Sequence, residues 1–533
     1  MELQRISRVV RRCAVCAVLA SALADGVWAA SPADQAGRPA RRGKSGRADD
    51  FFADRTVRHF EVEIAESALA ALRRSPRTYV SGTVREGGRA YTNVGIHLKG
   101  MGSFQPLDLK PSLVLHFDEF TPGQEYCGLT KLMLNNSVQD RSYLSELLAT
   151  GMFRDAGVPA ARVTHALLTF NGRDLGLYVA IEAMNKRFLK HHFGDASGNL
   201  YEGYLRDIDS RLDQDNGTNT TQADVRALLA ACRVPDPSER FQRLDQLLDL
   251  GRFASFAAIE ILSAHWDGYT LHTNNYRMYH EPGSGKMVFI AHGLDAVFRR
   301  PNVSVRPPTK SAVSRAVFQT EPGRRLYEER LRTLYTNVFR LAVLTNRMDE
   351  ALAKLRGAPL PRELMTDIEH QAAIMRGRLE RRVVRVGQQL AGAEPGPLQF
   401  DASGAARPDD WRDDFDHGEP LMDRVLQDSR RTLHILARGA RTRASWRTMI
   451  YLEPGLYRFE GQMRTANISG GGAGLRISGD TRNRRLGGEN PWRSMEHDFA
   501  VKDEAGDVEL VCEFDAVGGE AWYDLGSLVV RRR

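Results

Sequence analysis

Residues 265–298 run His-Trp-Asp-Gly-Tyr-Thr-Leu-His-Thr-Asn-Asn-Tyr, then a turn, then Met-Val-Phe-Ile-Ala-His-Gly-Leu-Asp-Ala-Val-Phe. Three side chains there carry hard oxygen donors at places where chain elements end. Asp267 follows an apolar helix and precedes Gly268, Asn275 opens a hairpin, and Asp295 leaves an apolar strand. Two carboxylates and a carboxamide so placed hold a divalent cation and orient a hydroxyl beside it. An ionised carboxylate after so apolar a strand needs compensation, and metal coordination supplies it.

Upstream, charges of the other sign have a matching arrangement. Lys99 ends the strand 94–99 and leads into Gly100-Met101-Gly102-Ser103, where Gly100 and Gly102 let the backbone approach a phosphate and the lysine supplies a point charge. Lys110 precedes a second strand, 113–117, and puts another lysine near the first. The helix 140–156 is capped by Asp140, has an apolar stripe of Leu144, Leu147, Leu148 and Met152, and stops at Gly157 before Pro159. Glu146 lies off that stripe, free to turn toward Lys99 or Lys110. The acid- and asparagine-rich loop 207–219 lacks the glycine and terminal glutamate of a calcium-binding loop and reads as surface.

These residues need elements to position them. Alternating runs at 58–64, 79–84, 91–99, 162–170 and 175–181, with Glu86-Gly87-Gly88 and Asn171-Gly172-Arg173-Asp174 as turns, predict a mostly antiparallel sheet carrying one helix. That is a small β-rich lobe over 51–184. A large, mostly helical lobe bearing the catalytic hairpin follows over 185–390, with helices expected at 185–193, 222–232, 238–250, 252–265, 324–355 and 361–389. Residues 391–397 are a linker, and 398–533 alternate as the strands of a β-sandwich. Trp446, Trp492 and Trp522 there are either sugar platforms or core residues.

The ends and the composition set the setting. Residues 1–30 combine an arginine-rich start, an apolar run from Cys13 to Leu23 and Val27-Trp28-Ala29, the pattern of an export signal. Residues 31–50 read as a flexible basic lead-in, with order beginning near Phe51. The apolar run is shorter than the roughly 20 residues a membrane-spanning helix needs, and no integral membrane segment is expected after signal cleavage. The expected location is secreted, periplasmic or cell-surface. Cys127, Cys232 and Cys512 are left, far apart and odd in number, with at most one bridge and no zinc spacing. A net charge of +7 over 533 residues is modest. Arginines recurring between 299 and 385 form either a solvated helix face or an electropositive wall. Interleaved aromatic and basic residues are missing, which excludes nucleic acid as a partner.

Taken in order, Gly95 to Gly102 with Lys110-Pro111-Ser112, Asp140 to Glu146, Asn171-Gly172 with Gly176-Leu177-Tyr178, Leu200-Tyr201, and Trp266-Asp267 through Asn275-Tyr276 to Leu294-Asp295 resemble the spore-coat protein H (CotH) kinase-like family. The resemblance covers roughly residues 58–300. It implies an α+β chain: an atypical protein-kinase-like two-lobed domain followed here by an all-β jelly-roll or β-sandwich domain. It further implies ATP with Mg2+ or Mn2+, and transfer of the γ-phosphoryl to Ser or Thr of an exported protein. Asp267 would orient the acceptor hydroxyl, Asn275 and Asp295 would hold metal, Lys99 or Lys110 would contact the phosphates with Gly100 and Gly102, and Glu146 would position the lysine. The family often has two aspartates one residue apart where this chain has Gly293 and Asp295. That departure keeps a second reading open, a non-catalytic surface or matrix protein binding glycan or protein through its β-sandwich.

Overall fold

Burial alternates along the first strand, with Phe60 and Val62 inside and Glu61 and Glu63 outside, as a pleated strand with one buried face requires. The computed structural model describes residues 46–218, 220–300, 303–307, 309–392, 398–480, 484–502 and 506–533. The export signal, most of the lead-in and residues 393–397 of the linker lie outside the described residues. A helix, Gly46–Ala53, already occupies the last residues of the segment expected to be lead-in.

Seven strands, β1 (Arg58–Glu63), β2 (Val80–Glu86), β3 (Arg89–Lys99), β4 (Ser112–His116), β5 (Lys131–Asn135), β6 (Val163–Phe170) and β7 (Arg173–Glu182), close into a barrel in the order β1-β2-β3-β4-β5-β7-β6. Every pairing is antiparallel except the closing one, where β1 runs parallel to β6 from Arg58 opposite Ala166 to Val62 opposite Phe170. The expected sheet is therefore a closed barrel. Irregular registers between Gly82 and Val84 and between Leu168 and Thr169 give the local bend that closure demands. Phe60, Ile96, Leu115, Leu134, Leu168 and Tyr178 belong to its core.

The helix Ser145–Asp155 is shorter than expected, and Asp140 lies five residues before it. Asp140 still caps its start, since the carboxylate accepts from the Ser145 amide at 2.8 Å and from the Ser142 amide and hydroxyl at 3.0 and 2.5 Å. Leu148, Met152 and Phe153 bury the helix in the largest core, where Phe153 meets Phe256 of the helix Leu250–Leu262, buried from Phe253 onward, at 5.7 Å.

A second sheet has the order β11-β10-β8-β9, with β8 Leu200–Gly203, β9 Asp213–Asn216, β10 Tyr276–Glu281 and β11 Lys286–Ala291. Part of the loop expected to be plain surface is thus a strand. Asp207 is also structural, because it accepts from the Tyr269 hydroxyl at 2.9 Å and the Ala312 amide at 2.6 Å. The single helix expected over 324–355 is two, Glu321–Asn337 and Leu341–Arg356, followed by Arg362–Ala391. No helix among the described residues is long and apolar enough to cross a membrane.

From Ala405 onward the described chain forms one ten-stranded sheet organised on the long strand Gly455–Ile477, which pairs with Arg485–Val501, Gly506–Ala516, Gly518–Asp524 and Val529–Arg532. Trp446 is 5% exposed and donates to the His434 carbonyl at 3.1 Å, and Trp522 is 8% exposed with its ring stacked on His434, so both are core residues. Trp492 is half-buried and donates to Asp428 at 2.8 Å. Cys127, Cys232 and Cys512 are free thiols.

Candidate functional site

The β10–β11 hairpin brings the two ends of the motif together. Its register sets Tyr276 opposite Ala291, so the residues just outside it, Asn275 on one side and His292-Gly293 on the other, face each other. Asn275 has a left-handed backbone, φ 53°, and its amide nitrogen donates to both the Asp267 carboxylate and the Asp267 carbonyl at 3.0 Å. That leaves the amide oxygen pointing toward Gly293.

Gly293 has φ +64°, and a Cβ there would sit 2.4 Å from Asn275 Oδ1. An aspartate would be strained by its backbone and would displace the amide. The glycine and the Asn275 rotamer are thus one steric unit, and the missing carboxylate has a local structural reason.

Histidine and glutamate from the buried helix end hold the same segment. His265 Nε2 lies 3.2 Å from the Gly293 carbonyl, and its Nδ1 is 3.5 Å from Glu260. Glu260 in turn accepts from the Tyr269 and Thr270 amides at 2.8 and 2.9 Å, capping the short turn Tyr269–His272 that follows Asp267. A Cβ on Gly268 would lie 2.2 Å from that carboxylate, so glycine is needed for the approach. Neither His265 nor Glu260 stood out in the sequence, where the usable signal was a His-x-Asp spacing at a helix end.

Lys99, Glu146 and Asp295 form the charged centre. Lys99 is the last residue of β3. Burial pulls its pKa down, while Glu146, Asp295 and Glu202 pull it back up. Glu146 is 8% exposed in the first helical turn. Burial first and Asp295 second push its pKa up to about 8, against the opposing pull of Lys99 and of the Leu294 amide. Asp295 is likewise raised by burial and lowered chiefly by Lys99. Two carboxylates that share one ammonium and are held from full ionisation fit an added cation, which would favour both charged forms.

Lys110 is elsewhere. Its ammonium donates to the Tyr143 hydroxyl at 2.9 Å and lies over the rings of Tyr143 and Tyr178 at 5.2 and 5.1 Å. Burial lowers its pKa to about 8, with Asp174 opposing. Gly100 has φ +97° and its carbonyl accepts from Arg77, while Gly102 lies beside Gln139 in the exposed turn after Lys99. His292, 3.6 Å from Glu202, is held neutral by burial, its pKa lowered to about 3.

Among the described residues no group of three or more His, Cys, Asp or Glu side chains is arranged to hold a metal ion. The amide oxygen of Asn275 and the carboxylate of Asp295 are nevertheless hard donors of the kind magnesium takes, usually with several waters retained.

The arginines of 299–385 divide, with Arg325 and Arg381 exposed and others packed inward. Arg382 is buried and donates to the Ile261, Leu262 and Val303 carbonyls, covering the end of the helix that delivers Asp267. Arg306 pairs with Glu328 at 2.7 Å, and Arg300 lies over the Trp266 ring at 5.5 Å.

No curated protein sequence matches this chain significantly. Among solved structures, the proinflammatory kinase CtkA of Helicobacter pylori is similar at 8% identity and TM-score 0.28, over 55% of this chain and 95% of that one. HipA, from the complex of the Shewanella oneidensis MR-1 toxin–antitoxin system with HipB and operator DNA, is similar at 14% identity and TM-score 0.25, over 53% of this chain and 61% of that one. TmCBM61, solved with β-1,4-galactotriose, is similar at 14% identity and TM-score 0.19, over 24% of this chain and 91% of that one. Likenesses this distant carry no argument about the site. The sequence profile described as CotH kinase protein matches residues 96–387, more than half of the chain and a span that contains the whole charged centre, and the chain belongs to that kinase-like family.

Proposed function

We propose that this protein is an exported CotH-type kinase that transfers the γ-phosphoryl of ATP to a Ser or Thr hydroxyl of a secreted or cell-surface protein. In this reading the barrel and the helical region are the two lobes of an atypical protein-kinase fold, and the ten-stranded sheet is an attached jelly-roll or β-sandwich module, with glycan as a further partner. The observation that carries the reading is the convergence of Lys99, Glu146 and Asp295 beside the bonded pair Asp267 and Asn275, inside the span that matches the family.

Phosphoryl transfer asks for positioning and charge neutralisation more than for covalent chemistry. Lys99 would meet the phosphates, held by Glu146, with the Gly100–Gly102 turn over them. Asn275 Oδ1 and Asp295 would hold the metal, which when bound neutralises phosphate charge. Asp267, fixed by Asn275, would orient the acceptor hydroxyl and take its proton. A phosphorus–oxygen bond to that hydroxyl forms as the bond to the β-phosphate oxygen breaks, and ADP leaves.

The test is phosphate incorporation into secreted-protein fractions, read by mass spectrometry, for the wild type and Asp267→Ala. The variant should bind ATP with magnesium and lose transfer while melting like the wild type, and equal activity in the variant would sink the assignment. Gly293 favours a second reading, a non-catalytic surface protein acting through its C-terminal sheet. A melting temperature unmoved by ATP and magnesium supports that reading, whereas specific nucleotide binding raises it.

A further inference from the structure

A cavity of about 660 Å³, within the size range of ligand pockets, lies between the helix Leu341–Arg356, the start of β6 and the turn after the helix Gly46–Ala53. None of Lys99, Glu146, Asp267, Asn275 or Asp295 lines it. Phe52, Leu147, Val163 and Ala353 give it apolar walls. Its charged groups cancel: the Asp54 carboxylate is tied to Arg58 at 2.7 Å and to the Thr56 amide at 2.8 Å, Arg347 is tied to Asp155 at 2.6 Å, and Arg55 and Glu350 are exposed with opposite signs. His165 is buried and neutral, since Nε2 donates to the Tyr143 carbonyl at 2.8 Å and burial lowers its pKa to about 4.

Lys354 differs from these. Its nitrogen donates to the Asp54 carbonyl at 2.7 Å and to the Thr164 hydroxyl at 2.6 Å, and both acceptors are neutral. An ammonium carries three N–H groups and an amine two, so these acceptors satisfy the amine completely and leave its lone pair where the ammonium would hold a third N–H. Burial acts in the same direction and lowers the pKa to about 8, with Asp54 opposing and Arg58 adding to the shift. At about pH 7.5 roughly a quarter of such a lysine is unprotonated, against about one part in a thousand for an ordinary one.

We propose that Lys354 is a nucleophilic lysine and that the cavity takes a neutral aldehyde with an apolar body, which the amine captures reversibly as an imine. The nitrogen lone pair attacks the carbonyl carbon, a proton passes from nitrogen to the new oxyanion through solvent, and loss of that oxygen as water leaves a C=N bond. One aldehyde enters and one water leaves, with no oxidant or reductant. A lysine desolvated in a pocket is activated for this reaction because the reacting species is the amine. The balanced charges of the walls give an anionic or cationic carbonyl compound no advantage, and the apolar walls favour an aromatic or aliphatic body. Capture at Lys354 is independent of phosphoryl transfer.

The experiment treats the full chain with benzaldehyde and sodium cyanoborohydride and maps the benzylated lysines by mass spectrometry, with glyoxylate in a parallel arm. At about pH 7.5, Lys354 should be labelled about tenfold or more faster than the exposed Lys186 and Lys190. It should also outpace Lys110, whose pKa is lowered as far but whose nitrogen is bonded to the Tyr143 hydroxyl and faces aromatic rings instead of this cavity. The Lys354 rate should level off above about pH 8 while the exposed lysines continue to climb toward about pH 10. Ala353→Phe, at an exposed position on the cavity wall, should slow labelling of Lys354 severalfold and leave the other lysines unchanged. Lys354→Arg should remove that adduct alone. Labelling of Lys354 no faster than that of Lys110 or Lys190, a pH profile parallel to that of Lys190, or indifference to Ala353→Phe overturns the proposal. Glyoxylate favouring Lys354 over Lys190 as strongly as benzaldehyde does overturns the neutral, apolar ligand. No nucleotide is present in these measurements, so their outcome is separate from that of the phosphotransferase reading.

Discussion

Lys99 and Lys110 stand at either side of one turn between paired strands, and burial lowers the pKa of both, yet their surroundings differ in kind. Around Lys99 the protein gathers carboxylates from a helix, a hairpin exit and a neighbouring strand. Around Lys110 it offers two aromatic faces and a phenol. The first arrangement sets two buried carboxylates on one ammonium, which leaves room for a further cation to favour their charged forms. The second is already satisfied by the protein itself, as a structural cation over aromatic rings is. A depressed lysine pKa therefore does not separate the two lysines, and the company each keeps does.

The contrast can be broken by exchanging side chains on each side of it. Lys99→Met should lower phosphate transfer by about 10²–10³-fold, the loss typical of removing one preorganised charge donor, with little change in melting temperature. Comparable transfer by Lys99→Met and wild type would show that the carboxylate cluster is only structural. Gly293→Asp, which restores the missing acid, should cost about 2–4 kcal/mol in denaturant unfolding through clash with Asn275 and left-handed strain, and should not raise transfer. A stable, more active variant would mean that Asn275 can yield.

Glu146→Gln sharpens the comparison through pH. A carboxyl raised to about 8 binds a proton in the folded state that the unfolded chain has released, so wild-type stability falls as pH rises from about 4.5 toward 8. The variant should flatten that slope and melt a few degrees higher at pH 8, about 1 kcal/mol for a chain this large, while losing Lys99 positioning. The smallest effect belongs to Lys110→Met, with transfer within about threefold of wild type. Its folded pKa near 8 means that the unfolded lysine holds a proton the folded one has lost, so wild-type stability gains between about pH 8 and 10.5, and that gain should shrink in the variant. Thermal melts across pH check both signs.

Much of this arrangement was legible because the signals were local. Glu86-Gly87-Gly88 and Asn171-Gly172 punctuate alternating runs, so the β2–β3 and β6–β7 hairpins could be read directly. Asp267 and Asp295 stood out because each follows an apolar element, and Asn275 because it opens a hairpin. Closure of the barrel was not legible, since the β1–β6 pairing joins residues about a hundred positions apart and leaves no local mark. Glu260 and His265 were hidden for the opposite reason. Inside an apolar helix and at its end, a buried acid and imidazole look like tolerated exceptions until their partners, the Tyr269 amide and the Gly293 carbonyl, are seen. Trp446 and Trp522 showed that aromatic identity alone does not separate a ligand platform from a core.

The parallel seam between β1 and β6 also dictates an order of events. The first strand has one edge it can satisfy at once, by pairing with β2, and another that must wait until the chain has run on to Phe170. Pairing across such a separation is slow, because the entropy of the intervening loop is lost before the contacts form. The barrel is therefore sealed late, and until then an unpaired edge beside Lys99's sheet is open to proteases and to other chains. A substitution at the seam, such as Phe60→Ala, would show itself first as slower refolding and lower yield, before any change in the chemistry of the cleft.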